Sequence, residues 1–116
     1  MGPNEIKYGD VFWIDFSRVF PIAKNKHYQK GRRMAVVVSN DKNNEHCDLI
    51  GVIPLTTKKD RLPQHTRIRI FGIDNYVLSE QTVTISKEFL IKKVLSLNEY
   101  NVNKVKQSMR IQFNLW

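Results

Sequence analysis

Residues 33–39, Arg-Met-Ala-Val-Val-Val-Ser, are the segment that most limits how this chain can fold. Apolar side chains, mostly β-branched, run through it without the polar alternation of a strand that has one wet face. A run this short and this apolar reads as a strand buried on both faces, which needs an apolar layer on either side. Gly31, Arg32 and Arg33 stand at its mouth. A guanidinium stays charged at any physiological pH and has no place in such an interior. The entrance therefore faces solvent or an anionic ligand.

The remaining segments supply the layers. Residues 8–16 alternate Phe12, Ile14 and Phe16 with Val11, Trp13 and Asp15, as a strand does. Residues 17–32 hold Pro21 and many polar side chains, and predict a long loop. A polar turn is expected over 40–47. A further strand is expected over 48–57, where Gly51 and Pro54 predict a bulge or an irregular edge. Residues 66–71 set Ile68 and Ile70 against Thr66, Arg67 and Arg69, the pattern of a half-buried strand. A turn is read at 72–75, an extended stretch at 76–85, a short helical turn capped by Ser86, and a short strand at 93–97. Asn98 is a good N-cap for a final helix, with Glu99 in its first turn and Leu97 and Val102 at the staple positions. Val102, Val105, Met109, Gln112 and Phe113 follow helical spacing as its inner face. The expectation is one domain over 1–116, with antiparallel strands around one core closed by a C-terminal helix.

Charge is concentrated rather than spread. The formal net charge is +8. Residues 18–33 carry +6 without a single acid, and residues 58–69 carry +4, so the rest of the chain is at −2. Two separate basic clusters are the electrostatic footprint of a nucleic-acid binder. No run of about 18 apolar residues exists to cross a membrane. The first residues lack a basic-then-apolar signal layout. A single cysteine, Cys47, makes neither an internal disulfide nor a cysteine-based metal site. These features predict a cytoplasmic protein.

Few residues offer chemistry. His27, His46 and His65 are widely spaced in expected loops and read as surface histidines, with no metal-binding spacing. Neither a phosphate-binding glycine loop nor a serine-nucleophile elbow is present. What remains is Arg33 at a strand entrance, Thr56 and Thr57 at a strand end, and Glu80 and Gln81 in a third extended segment. Arginine neutralises a phosphate with two parallel hydrogen bonds and stabilises charge building on its oxygens. A threonine hydroxyl holds another phosphate oxygen.

The order of these pieces resembles the MazF/PemK family of toxin endoribonucleases, part of a superfamily with CcdB. The resemblance rests on Gly9-Asp10-Val11-Phe12-Trp13, on Gly31-Arg32-Arg33-Met34 with the apolar strand behind it, on Ile53-Pro54-Leu55-Thr56-Thr57, and on Leu78-Ser79-Glu80-Gln81-Thr82-Val83-Thr84-Ile85. Met34 replaces the family's usual proline, Tyr28 stands where many members have glutamate, and Leu78 and Val83 replace arginines of some relatives.

The resemblance implies a mainly β fold with a C-terminal helix, a small SH3-like, partly open antiparallel barrel. It implies a homodimer that binds single-stranded RNA in a groove between subunits and is silenced by an acidic antitoxin. It gives Arg33 and Thr56 the catalytic roles, and places His27, Lys30, Arg32, Thr57, Glu80 and Gln81 along the RNA. The implied reaction uses no metal or cofactor: the ribose 2′-OH attacks the adjacent phosphate, leaving a 2′,3′-cyclic phosphate and a 5′-OH. The general base stays open between Glu80 and His27. The alternative within the superfamily is a CcdB-like inhibitor that binds DNA gyrase and catalyses nothing, for which the aromatic end at Trp116 would serve.

Overall fold

The computed structural model describes residues 5–19, 31–59 and 62–115. The elements run β1 (Asp10–Asp15), α1 (Phe16–Val19), β2 (Arg32–Val37), α2 (Asp41–His46), β3 (Leu49–Thr56), β4 (Arg67–Ile70), β5 (Ile73–Val77), β6 (Val83–Ser86), β7 (Leu90–Ser96) and α3 (Glu99–Phe113). Short 3-10 turns at Ser79–Gln81 and Lys87–Phe89 flank β6. The strands form one 7-stranded sheet in the order β4-β5-β3-β2-β1-β7, with β6 also paired to β3. Every ladder is antiparallel. This is the expected β architecture with a C-terminal helix.

β2 lies in the middle, as its composition requires. Ala35, Val36 and Val37 have no exposed surface. Full burial of each valine contributes roughly 1.5–3 kcal/mol. Successive residues of β2 serve two separate cores. Val36 packs with Val11, Ile53, Leu55, Ile68, Ile70, Val77 and, from α3, Val105. Ala35 and Val37 pack with Phe12, Ile14, Phe16, Ile50, Val52 and Ile85 on the other face. Two cores replace the single one expected, because a sheet that bends around β2 closes an apolar layer on both of its sides.

β3 changes partners along one edge. Its first half pairs β6 from Leu49↔Ser86 to Val52↔Val83, and its last two residues pair β5. Pro54 sits where β6 has ended and β5 has not begun, and its carbonyl accepts the Leu78 N–H at 3.1 Å. A residue without an N–H is tolerated where the ladder is interrupted. The irregularity expected from Gly51 and Pro54 is thus a change of neighbour.

Several local expectations are corrected. Residues 40–47 form α2 rather than a turn: the Asn40 side chain accepts the Asn43 N–H at 2.8 Å and caps it. Asn44 is buried and donates to the Ser39 carbonyl at 2.8 Å, which anchors the helix to the end of β2. The turn read at 72–75 is the two residues Phe71 and Gly72, both at positive φ (51° and 78°), and Asp74 and Asn75 belong to β5. Such a turn matches the twist of a tight hairpin. The stretch 76–85 is broken by the 3-10 turn Ser79–Gln81 into β5 and β6.

α3 starts as expected, with the Asn98 side chain accepting the Asn101 N–H at 2.9 Å. Its fully buried positions are Val105 and Ser108, while Phe113 is 46% exposed. The helix is turned toward β4, where the Thr66 hydroxyl donates to the Lys104 carbonyl and the Asn101 amide to that of Arg69. That rotation brings a serine into the interior and leaves the last aromatic out. Gly9, at φ +88°, has its carbonyl bonded to the Leu97 N–H at 3.0 Å. A Cβ there would stand only 3.0 Å from Val102 Cγ2, so glycine lets α3 start close against β1.

Candidate active site

The mouth of β2 is built around Gly31. At φ +71° this residue takes a backbone shape that other residues adopt at a cost. Its carbonyl accepts the Phe16 N–H and its own N–H donates to the Ser17 hydroxyl, each at 2.8 Å. The end of β1 and the start of β2 are thereby tied together. Arg32 pairs with Asp15 and Arg33 with Ile14 across the β1–β2 ladder. Both arginines are exposed, but they leave β2 on opposite faces. Arg33 shares the face of Ala35 and Val37; Arg32 shares that of Met34 and Val36.

β2 pairs β3 as Ala35↔Pro54, Val36↔Ile53 and Val37↔Val52. The ladder ends at Ala35↔Pro54; extended two residues further, the same register would bring Arg33 opposite Thr56. Residues opposite one another in an antiparallel pair share a face and lie close enough to act together. Along this face the apolar layer of Val37, Val52 and Ala35 gives way to Arg33 and Thr56 at its end. Thr56 is half-buried, and its Oγ1 accepts the Lys58 N–H at 3.1 Å. That bond orients the hydroxyl and leaves its own proton free to donate. Thr57 follows, exposed, beyond the strand.

Glu80 and Gln81 occupy the 3-10 turn that follows the contact between Leu78 and Pro54. Both Glu80 carboxylate oxygens lie 2.7 Å from Nε2 of His65. The His65 side chain has no exposed surface, and that of Glu80 is 28% exposed. His65 is therefore not the surface histidine that loop placement predicted: Glu80 supplies the partner that makes burial of an imidazole tolerable. Beside it, the Ser79 and Ser108 hydroxyls share a hydrogen bond at 2.8 Å, and the Ser108 hydroxyl also reaches the Gln64 carbonyl. No sequence signal marks this cluster, since its members come from the segment before β4, the 3-10 turn and α3.

His27 and Lys30 lie outside the described residues, as does Trp116. Arg33 and Thr56 lie on the same face, beyond the last β2–β3 pair, and Glu80 and Gln81 are held near the end of β3 that carries Thr56. Among the described residues, no three His, Cys, Asp or Glu side chains gather as metal ligands would. No helix among them is long and apolar enough to cross a membrane.

Comparison with known proteins covers nearly the whole chain. The pattern of the PemK-like, MazF-like toxins of type II toxin-antitoxin systems matches residues 7–113. Endoribonuclease EndoA of Bacillus subtilis is 30% identical over 95% of this chain and 96% of its own length. Among solved structures, an endoribonuclease from Mycobacterial species superposes with a TM-score of 0.77 at 19% identity, covering 97% of this chain and 96% of that one. Another Mycobacterial endoribonuclease, in complex with its cognate antitoxin, gives 0.76 at 19% identity over 96% and 97% of the two chains.

Proposed function

This chain belongs to the PemK-like, MazF-like toxins of type II toxin-antitoxin systems and is an endoribonuclease, and from that premise we propose that it cuts single-stranded RNA without a metal ion at Arg33 and Thr56. The observation that supports this reading is the β2–β3 register, which, extended past Ala35↔Pro54, would bring a permanently charged donor and an oriented hydroxyl to the same open end of an apolar face. Neither group is a base or a nucleophile in water. Both suit a phosphate whose attacker is part of the substrate.

The ribose 2′-OH beside the scissile phosphate attacks phosphorus in line. The bond from phosphorus to the 5′-oxygen breaks, leaving a 2′,3′-cyclic phosphate on one product and, after protonation, a 5′-OH on the other. Negative charge builds on the non-bridging oxygens as the fifth bond forms. Arg33 meets it with paired N–H donors. Thr56, its lone pair held by the Lys58 N–H, donates to a second oxygen. The 2′-OH proton needs an acceptor, for which Glu80 and His27 are the candidates, and His65 fixes the carboxylate of Glu80. Because the 2′-OH is absent from DNA, this chemistry confines the enzyme to RNA.

Arg32 and Lys30 would contact flanking phosphates, and Thr57 and Gln81 the bases or sugars beside the cut. Sequence selectivity, a homodimer with RNA along the subunit groove and an acidic antitoxin covering the basic loops complete the proposal. The Mycobacterial endoribonuclease solved in complex with its cognate antitoxin supports an antitoxin as a partner. A long unstructured RNA incubated with the protein in EDTA should acquire new ends carrying 2′,3′-cyclic phosphate and 5′-OH. Intact RNA across several sequence contexts, or cleavage that returns only when a divalent ion is added, would overturn the reading.

A further inference from the structure

The row of residues that includes Thr56 continues across two more strands. Thr56 is opposite Tyr76 in β5, and Tyr76 is opposite Arg67 in β4. Leu55 and Val77, the neighbouring pair, both point into the core that receives α3. Thr56, Tyr76 and Arg67 therefore lie together on the other face, in line with Arg33. With strands about 4.8 Å apart, Arg67 stands roughly 10 Å from Thr56 along this row.

The far end of the row opens into a cavity of about 410 Å³ between the β4–β5 hairpin and α3. Lys59, Arg67, Arg69, Tyr76, Tyr100 and Lys104 line it, and among the described residues none of the lining side chains is acidic. The acid facing these cations is Asp74, which lies 3.8 Å from Arg67 and 3.3 Å from Arg69. Among the described residues, four cations thus face one carboxylate. Tyr100 is 68% exposed, and the Lys104 ammonium stands 5.6 Å from its ring centre. Cations interleaved with open aromatic rings suit unpaired nucleotides, whose phosphates take the charge while their bases stack. An acidic peptide would also match the cations, but the open Tyr100 ring beside them favours the flat faces of unpaired bases.

We infer that this cavity is an outer subsite for single-stranded RNA, holding nucleotides that flank the cut on one side. The inference rests on the ribonuclease reading and extends its track from Arg33 and Thr56 to the opposite edge of the sheet. Arg67 and Lys104 hold phosphates, and Tyr100 offers a stacking platform.

The test measures binding to a strand made uncleavable by 2′-deoxy substitution at the mapped cut, in a long form and in a form just spanning the site. In the wild type the long strand should bind more tightly. In Arg67→Ala/Lys104→Ala that advantage should shrink. The slope of log affinity against log salt should also fall by about 1.4, since each phosphate contact to a single strand contributes about 0.7. Tyr100→Leu should weaken the long strand at least about fivefold, and Tyr100→Phe should retain its affinity. The exposed positions of Arg67 and Tyr100 spare the core, and a thermal melt checks that each variant is folded. An unchanged salt slope with an unchanged long-to-short ratio would overturn the subsite. So would variants that keep RNA affinity but lose binding to polyglutamate, which would assign the cavity to an acidic peptide. Failure of the ribonuclease reading is separate, because it shows as wild-type protein that leaves cleavable RNA intact.

Discussion

Two polar clusters lie near the end of β3, and the chain builds them in opposite ways. Arg33 and Thr56 are placed by backbone register alone: buried neighbours such as Ala35, Val37 and Val52 lock β2 against β3, and the polar pair is what extends past them. His65, Glu80, Ser79 and Ser108 are instead placed by bonds to one another, within the seam that holds the 3-10 turn and α3 against β4. The first cluster lies at the exposed end of its face, where a ligand can reach Arg33 and the half-buried Thr56. The second has spent most of its hydrogen-bonding capacity on the fold. A catalytic role suits the first; in the second, Ser79 and Ser108 are structural, while Glu80, held by His65, stays a candidate base, and substitution should separate these roles.

The largest effect is expected at Arg33. Arg33→Ala should lower kcat about 10²–10³-fold, the usual loss when a main donor to transition-state charge is removed. Stability should stay within about 0.5 kcal/mol, as for most surface substitutions. Single-turnover cleavage and a thermal melt on the same sample check both halves. A rate that survives the substitution would break the comparison at its first term.

The buried cluster should show the converse. Ser108→Ala removes the hydroxyl shared with Ser79 and Gln64, and His65→Leu leaves the Glu80 carboxylate facing an apolar group. Each should cost about 1–3 kcal/mol by leaving buried polar atoms without their partner. In a domain of this size that lowers the melting midpoint by roughly 4–8 °C for each kcal/mol. For Ser108→Ala, the rate per folded molecule should follow the wild type. A Ser108→Ala protein of full stability but lost activity would mean that the seam belongs to the active site after all.

The smallest effect sharpens the comparison by loosening the seam from a distance. Asn98→Ala removes the cap of α3 and should cost about 1 kcal/mol. Hydrogen exchange should then rise in the first turns of α3, while the amides of β2 stay protected.

How far each region can be read from the residues follows the same division. The strand at 33–39, the alternation at 67–70 and the Asn98 cap are local patterns, and β2, β4 and α3 form where those patterns lie. The α2 cap at Asn40 is just as local, but a helix this short and polar has no apolar stripe to announce it. The β4–β5 turn was displaced because Phe71 takes a left-handed backbone, which a bulky side chain seldom adopts. His65 offers no pattern at all. Its burial depends on Glu80, which lies across a hairpin, and no periodicity connects the two.

The two-residue repeat of a strand is a property of the backbone, so the sequence by itself determined that Arg33 leaves β2 on the face of Ala35 and Val37, while the start of β2 at Arg32 came from the structure. The sequence also determined that Ile68 and Ile70 turn inward while Arg67 and Arg69 turn out. Only the tertiary structure decided which residues of β3 and β5 stand beside Arg33. A slip of one residue would exchange every inward side chain for an outward one, so register is chosen by the burial of both cores at once. That choice puts Thr56 on the face of Arg33 and carries the polar row on through Tyr76 to Arg67.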